Sequence, residues 1–95
     1  MNMQAMLKQA QKMQADMLKE KNEIDNKEFA TKSGVVTVVS LGNKNLLKVS
    51  IDQDVDDIEL LQDMFVVAVN ENNKKIDRET EEKLGKYTKG MPGLF

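Results

Sequence analysis

The sequence contains neither cysteine nor histidine. Without cysteine there is no disulfide framework, thiol nucleophile or cysteine-based zinc site, and a reducing compartment is expected. Without histidine the chain lacks the side chain best suited to proton transfer near neutral pH and the commonest imidazole metal ligand. These absences remove most hydrolytic active sites, so we expect no enzymatic activity, no metal site and no cofactor.

Long apolar runs are also missing. The longest extends from Met64 to Val69, far short of the roughly 20 residues that cross a bilayer. The first residues lack the basic flank and continuous apolar core of a signal peptide. We therefore expect a soluble cytoplasmic protein with no membrane partner. With 95 residues, the chain is expected to form one domain, residues 1–95. Its core would be small, and oligomerisation would bury additional surface.

Helical periodicity runs through the first quarter of the chain. From Met3 to Ile24 apolar residues recur at spacings of three and four, which predicts one stripe on an α-helix. Part of the stripe also repeats at seven, at Met3, Ala10 and Met17, the register that lets one helix lie along another. The methionines of this stripe predict core or dimer packing, and an adaptable docking surface is the alternative.

Three short β-favouring runs follow the predicted helix. They are residues 28–32, 35–41 and 46–51, separated by Ser33-Gly34 and by the 42–45 segment. This pattern predicts a three-stranded antiparallel meander. In the third run Leu47, Val49 and Ile51 are expected to face a core. The middle run is apolar on both faces, so its own helices and a partner subunit are expected to cover it.

The helical period returns at Asp54, which we interpret as the N-cap of a second helix. The predicted buried stripe of this helix is Ile58, Leu61, Met64, Phe65 and Ala68. The helix is predicted to end at Leu84, before Gly85. The fold class is therefore α+β, in the order α-β-β-β-α. From about residue 86 we expect a tail. Its Met91-Pro92-Gly93-Leu94-Phe95 segment exposes apolar groups, and the alternatives for it are docking, on this protein or another, and disorder.

Five segments together resemble one known family. They are residues 2–14, 48–52, 56–64, 67–70 and 90–95, and in this order they resemble the bacterial nucleoid-associated YbaB/EbfC proteins over nearly the whole chain. The resemblance implies a tweezer-shaped homodimer with protruding helices that binds double-stranded DNA in the nucleoid with low sequence specificity and influences gene expression. Val55, where a helix-starting proline is common, and the short Ser33-Gly34 turn depart from the family pattern. We expect the fold to survive both.

Charge is segregated along the chain, although its net charge is −2. Residues 1–15 contain two lysines and no acid, residues 83–95 contain three lysines and no acidic side chain, and every charge between Ser50 and Phe65 is negative. A dimer would thus have basic extremities around an acidic middle. We predict that cationic side chains hold DNA phosphates; ordinary solubilising charge is the alternative. The predicted set is Lys8, Lys12, Lys19, Lys74, Lys75, Arg78, Lys83, Lys86 and Lys89.

Two other sequence patterns do not indicate a binding site. Asp52, Asp54 and Asp56 imitate the start of a calcium loop, but Asp57 stands where such a loop needs glycine and Asp63 where it needs glutamate. Helix capping is the better interpretation. No phosphate-binding glycine loop or dinucleotide fingerprint occurs, so we expect no small-molecule substrate. The alternative function is a protein-interaction adaptor with incidental DNA affinity, which the acidic net charge and the apolar tail favour.

Overall fold

The computed structural model describes residues 2–88 and contains two helices and three strands. The elements are α1 (Met3–Asp25), β1 (Glu28–Ser33), β2 (Val36–Leu41), β3 (Leu46–Ile51) and α2 (Ile58–Thr88). The strands are antiparallel and lie in the order β1-β2-β3. The predicted α-β-β-β-α order is confirmed. Within residues 2–88, neither helix is long and apolar enough to cross a bilayer.

The first helix has a packed half and a projecting half. It begins at the N-cap Asn2, whose Oδ1 accepts a hydrogen bond from the Gln4 amide at 3.0 Å. Towards its other end Ile24 is buried with Phe29, Ile76 and Leu84. Every residue from 3 to 16, in contrast, is exposed. We call residues 3–16 the α1 arm, because in the described chain they project beyond the core.

The sheet packs one face against α2. Val36 and Val38 of β2 are buried against Ala68, with Leu61 and Met64 beside them. The tight turn between β1 and β2 depends on glycine for two reasons. Gly34 has φ of 59°, and a Cβ at this position would lie 2.7 Å from Sδ of Met64. The turn is Gly34-Val35, one residue later than the predicted Ser33-Gly34, and these two residues are sufficient for the hairpin.

A buried polar chain fixes α2 on the sheet. Asn72 is 1% exposed, and its Nδ2 donates to Oγ of Ser40 at 2.7 Å. Oγ1 of Thr31 donates to Oδ1 of Asn72 at 2.9 Å. Since buried polar groups are costly unless they are hydrogen-bonded, any sliding of α2 along the sheet would break both contacts. This chain sets the axial position of α2 and of everything that packs on it.

Both predicted ends of the second helix are wrong by about one turn. The helix begins at Ile58, and Asp57 is the residue that caps it: its Oδ1 accepts from the Leu60 amide at 3.1 Å. Asp54 lies one turn earlier. Gly85 does not end the helix, which continues to Thr88 because Leu84 and Tyr87 pack against α1. Residues 86–88 of the predicted tail are therefore helical, and its 89–95 portion lies outside the described residues.

Several side chains predicted to face a core are exposed in the single chain. Leu47, Val49 and Ile51 are 47%, 42% and 50% exposed, and Ile58 is 65% exposed. The reason is that α2 lies across β1 and β2 and leaves the β3 side of the same face uncovered. Phe65 is likewise 37% exposed. The core prediction is wrong for these residues within one chain.

Candidate nucleic-acid interface

Helix α1 presents a row of cations on one side, along the α1 arm and just beyond it. At 3.6 residues per turn, Lys8, Lys12 and Lys19 fall within about 40° of one another around the helix axis. They are all exposed, and they span about 16 Å along the axis. A DNA strand carries one phosphate per roughly 3.4 Å of duplex axis. The row is therefore long enough to follow several consecutive phosphates.

The lysines of this row are unpaired in the described part of the chain. Among residues 2–88, Lys8, Lys12 and Lys19 form no ion pair or hydrogen bond, and the arm contains no acid before Asp16. Other lysines are neutralised within the chain. The ion pairs are Lys21–Asp25, Lys27–Glu79, Lys32–Asp52, Lys44–Asp77, Lys74–Glu71, Lys83–Glu79 and Lys86–Glu20, at N···O distances from 2.7 to 4.0 Å.

Most of the predicted DNA-binding residues of α2, unlike those of α1, are already bonded to other groups of the chain. Lys74 pairs with Glu71 at 3.3 Å, and Nζ of Lys75 donates to the carbonyl oxygen of Ala30 at 2.6 Å. Arg78 has no ion pair among residues 2–88. On α2 the cations thus alternate with carboxylates, and Arg78 is the member of this group that is open to phosphate. Lys89 lies outside the described residues.

Near the end of α2, Lys86 joins the two helices. Its Nζ lies 3.3 Å from Oε1 of Glu20. Hydrogen bonding by Tyr87, and after it Lys86, lowers the pKa of Glu20, while the bond to Glu20 raises the pKa of Lys86. Both groups are therefore charged at neutral pH. Lys86 is therefore engaged with Glu20 of α1, and Lys83 lies 4.0 Å from Glu79 within α2, so both are less available to DNA than Lys8 and Lys12.

Sequence reasoning missed one cation. Lys48 of β3 is exposed and has no ion pair among residues 2–88. It stands opposite Val39, on the face of the sheet that points away from α2. The signal was available, because Lys48 alternates with Leu47 and Val49, which predicts an outward-facing position.

Acidic residues occupy the other end of the long second helix. Asp54, Asp56, Asp57, Glu59 and Asp63 are all exposed around its beginning. The 31 residues of α2 extend about 46 Å, and α1 packs only beside its second half, through residues such as Ile76 and Leu84. The acidic segment is thus remote from the α1 arm. The two ends of the described chain therefore differ in charge: the beginning of α2 is acidic, and α1 carries its unpaired lysines at the other end.

The uncovered part of the sheet forms an open apolar groove of about 380 Å³ between β3 and the first half of α2. Its sheet side is Val36, Val49 and Ile51, and its helix side includes Phe65 and Val66, which is 53% exposed. No charged residue lines it. We call it the β3–α2 groove. Within residues 2–88 there is no group of three or more acidic side chains arranged to hold a metal ion.

Comparisons with known proteins identify the family of this chain and agree with its fold. Residues 1–91 match the model of the YbaB/EbfC DNA-binding family. A nucleoid-associated protein of Enterococcus faecalis is 44% identical over 98 residues, which cover 98% of this chain and 94% of that protein. Another, from Lactococcus lactis subsp. cremoris, is 47% identical over 97 residues and covers 97% and 98%.

One solved structure is similar as well. The crystal structure of an uncharacterized protein from Helicobacter pylori matches with a TM-score of 0.77 over 92% of this chain and 97% of that one. The two sequences are 19% identical. The likeness therefore concerns the fold: a helix, an antiparallel three-stranded sheet and a second long helix.

Proposed function

Since this chain belongs to the YbaB/EbfC DNA-binding family, we propose that it works as a homodimer that holds duplex DNA with the lysine row of each α1 arm. Its DNA-binding, nucleoid-associated role follows from the family and from the relatives' names. The dimer, the residues that touch DNA and the absence of catalysis are our proposal. The role we infer is architectural or regulatory.

One observation carries the DNA-binding proposal: α1 presents an exposed row of lysines that are unpaired within residues 2–88, and the α1 arm has no acidic side chain before Asp16. A chain with a net charge of −2 binds a polyanion only where positive charge is gathered and not neutralised. Lys8, Lys12 and Lys19 meet both conditions within residues 2–88. Contacts to phosphates position a protein without reading bases. This is the physical reason for low sequence specificity.

The β3–α2 groove supports the homodimer. Exposed apolar surface of this kind marks an interaction site in a small protein, and the cores of homodimer interfaces are apolar with few charges. A second copy presents the same groove, so a two-fold arrangement covers Val49, Ile51 and Val66 in both chains at once. Two chains paired in this way also carry two α1 arms, which doubles the number of phosphates that one particle can contact.

Charge reversal on the arm tests the proposal. Lys8→Glu combined with Lys12→Glu is expected to weaken binding to a duplex roughly 10- to 100-fold at moderate salt, because attraction to phosphate becomes repulsion. Gel-shift titration at two salt concentrations measures the change. Both positions are exposed and unpaired, so the fold should be unaffected, which circular dichroism would check.

The matched control changes the net charge by the same amount as the arm variant, but at positions outside α1. Lys32→Glu with Lys44→Glu removes two exposed lysines that already pair with Asp52 and Asp77. This variant should bind DNA within a few-fold of the parent. If the arm variant retards DNA as well as the parent does, the lysine row is not the interface and the protein-interaction adaptor becomes the better interpretation.

A further inference from the structure

The sheet has two edges, and the edge formed by β1 is protected. In the order β1-β2-β3, the outer sides of β1 and β3 have no neighbouring strand within residues 2–88. On β1, Nζ of Lys75 donates to the carbonyl oxygen of Ala30 at 2.6 Å, and the strand also carries Glu28 and Lys32. Charged side chains and covered backbone groups prevent the pairing of a further strand. The β1 edge is therefore closed.

The edge formed by β3 is unprotected. The Asp52 amide donates to the carbonyl oxygen of Val35 at 3.0 Å. Because alternate residues of an antiparallel strand bond to the same neighbour, the even-numbered residues of β3 near this end bond to β2. Val49 and Ile51 therefore direct their N–H and C=O groups outwards, and their side chains are 42% and 50% exposed. An exposed apolar edge of this kind is a template for pairing with another strand.

The β3 edge borders the β3–α2 groove, and a second copy of the chain can cover both. Antiparallel pairing of two β3 strands places a two-fold axis perpendicular to the sheet, so both α2 helices lie on the same face. The two grooves then open towards each other. Val66, which is 53% exposed and lines the groove with Val49 and Ile51, faces the junction in each copy. The same pairing thus buries the apolar surface and bonds the outward backbone groups.

Charge favours one register for this pairing. Lys48 is exposed and has no ion pair among residues 2–88. Asp52 lies four residues farther on the same face, and Lys32 bonds only to its Oδ2. When Val49 stands opposite Ile51 of the second copy, Lys48 stands opposite Asp52 of the second copy, and this happens twice. Opposite charges in opposed positions stabilise an antiparallel pair, whereas a register with Val49 opposite Val49 loses both ion pairs.

We propose that two copies of the chain join β3 to β3 in antiparallel orientation and form one continuous six-stranded sheet. In the favoured register Ser50 of each copy stands opposite Ser50 of the other, at the two-fold axis. Lys48 then belongs to the subunit junction and not to the DNA-binding surface. This inference rests on the homodimer of the proposed function, and it assigns the strands and the register through which the homodimer forms.

Disulfide formation at the two-fold axis tests the proposal. The sequence has no cysteine, so Ser50→Cys gives each full-length chain a single thiol. Opposed residues of a non-hydrogen-bonded antiparallel pair have Cα atoms about 4.5 Å apart, which is within the range of a disulfide. Copper phenanthroline in air would oxidise the two thiols to one disulfide. Non-reducing electrophoresis would then measure how fast linked dimers form.

Ser33→Cys is the matched control, because Ser33 is likewise a partly buried serine of an edge strand, β1. Ser50→Cys should form linked dimers at least roughly tenfold faster than Ser33→Cys, and before oxidation it should be dimeric by light scattering. Equal rates, or faster linkage of Ser33→Cys, would overturn the β3 junction. If the protein is still dimeric in that case, the homodimer stands and only its strands are wrong. A monomeric parent protein would overturn both proposals.

Discussion

Replacing Val66 by aspartate should convert the proposed homodimer into a monomer. Val66 lines the β3–α2 groove and is 53% exposed in the single chain, so an aspartate there is tolerated by the fold. In a two-fold dimer the same change buries an unpaired carboxylate in each copy, which costs about 3–5 kcal/mol per site. The dimer dissociation constant should therefore rise at least roughly a thousandfold.

The neighbouring valine provides the control for this variant. Val67 is 48% exposed on the same helix but is not part of the groove lining, so Val67→Asp should remain dimeric. Light scattering after size exclusion should give twice the 10.8 kDa chain mass for the parent and the control, and one chain mass for Val66→Asp. A dimeric Val66→Asp protein would place the subunit contact elsewhere.

Gly42→Ala should strongly destabilise the fold. Gly42 is buried where the β2–β3 turn meets the end of α1, and its amide donates to the carbonyl oxygen of Lys27 at 2.9 Å. A Cβ at this position would overlap the carbonyl group of Ile24, which is backbone and cannot rotate away. We expect a loss of about 3–5 kcal/mol in the free energy of unfolding.

Gly85 provides a control in which the expected change in the free energy of unfolding has the opposite sign. Nothing lies within 4 Å of a Cβ built on Gly85, inside α2, so Gly85→Ala should raise the free energy of unfolding by about 0.5–1 kcal/mol. Urea unfolding followed by circular dichroism measures both changes. Gly42→Ala with a midpoint close to that of the parent would mean that the turn and α1 are not packed as described.

Local patterns were enough to predict most of the fold. The spacing of three and four from Met3 to Ile24 predicts a helix that the structure places at Met3–Asp25. The third strand was predicted at the observed bounds, Leu46–Ile51. These elements are predictable because their apolar period and their turn residues agree, so that tertiary contacts need not override them.

The helix ends were missed because the sequence offers several equivalent signals. Asp54, Asp56 and Asp57 can each cap a helix, and only the structure distinguishes Asp57 through its bond to the Leu60 amide. Gly85 is a common terminator. Here burial of Leu84 and packing of Tyr87 against α1 favour the helix by more than the glycine costs.

The state of each lysine could not be predicted, because it depends on long-range contacts. Lys27 and Glu79 are 52 residues apart in the chain and form a 2.8 Å ion pair. Lys83 and Lys86 belong to an acid-free stretch of sequence, yet their partners come from earlier in α2 and from α1. Sequence could locate the basic extremities, whereas the fold decides which lysines remain unpaired.

The salt dependence of DNA binding tests the account most directly. If the paired arms neutralise about four to six phosphates, a plot of log association constant against log salt concentration should have a slope of roughly −4 to −5. Fluorescence anisotropy with a labelled duplex between about 50 and 200 mM salt would measure it, and the Lys8→Glu, Lys12→Glu variant should give a much flatter line. An affinity that stays constant across this range would contradict binding through phosphates and, with it, the proposed role of the lysine row.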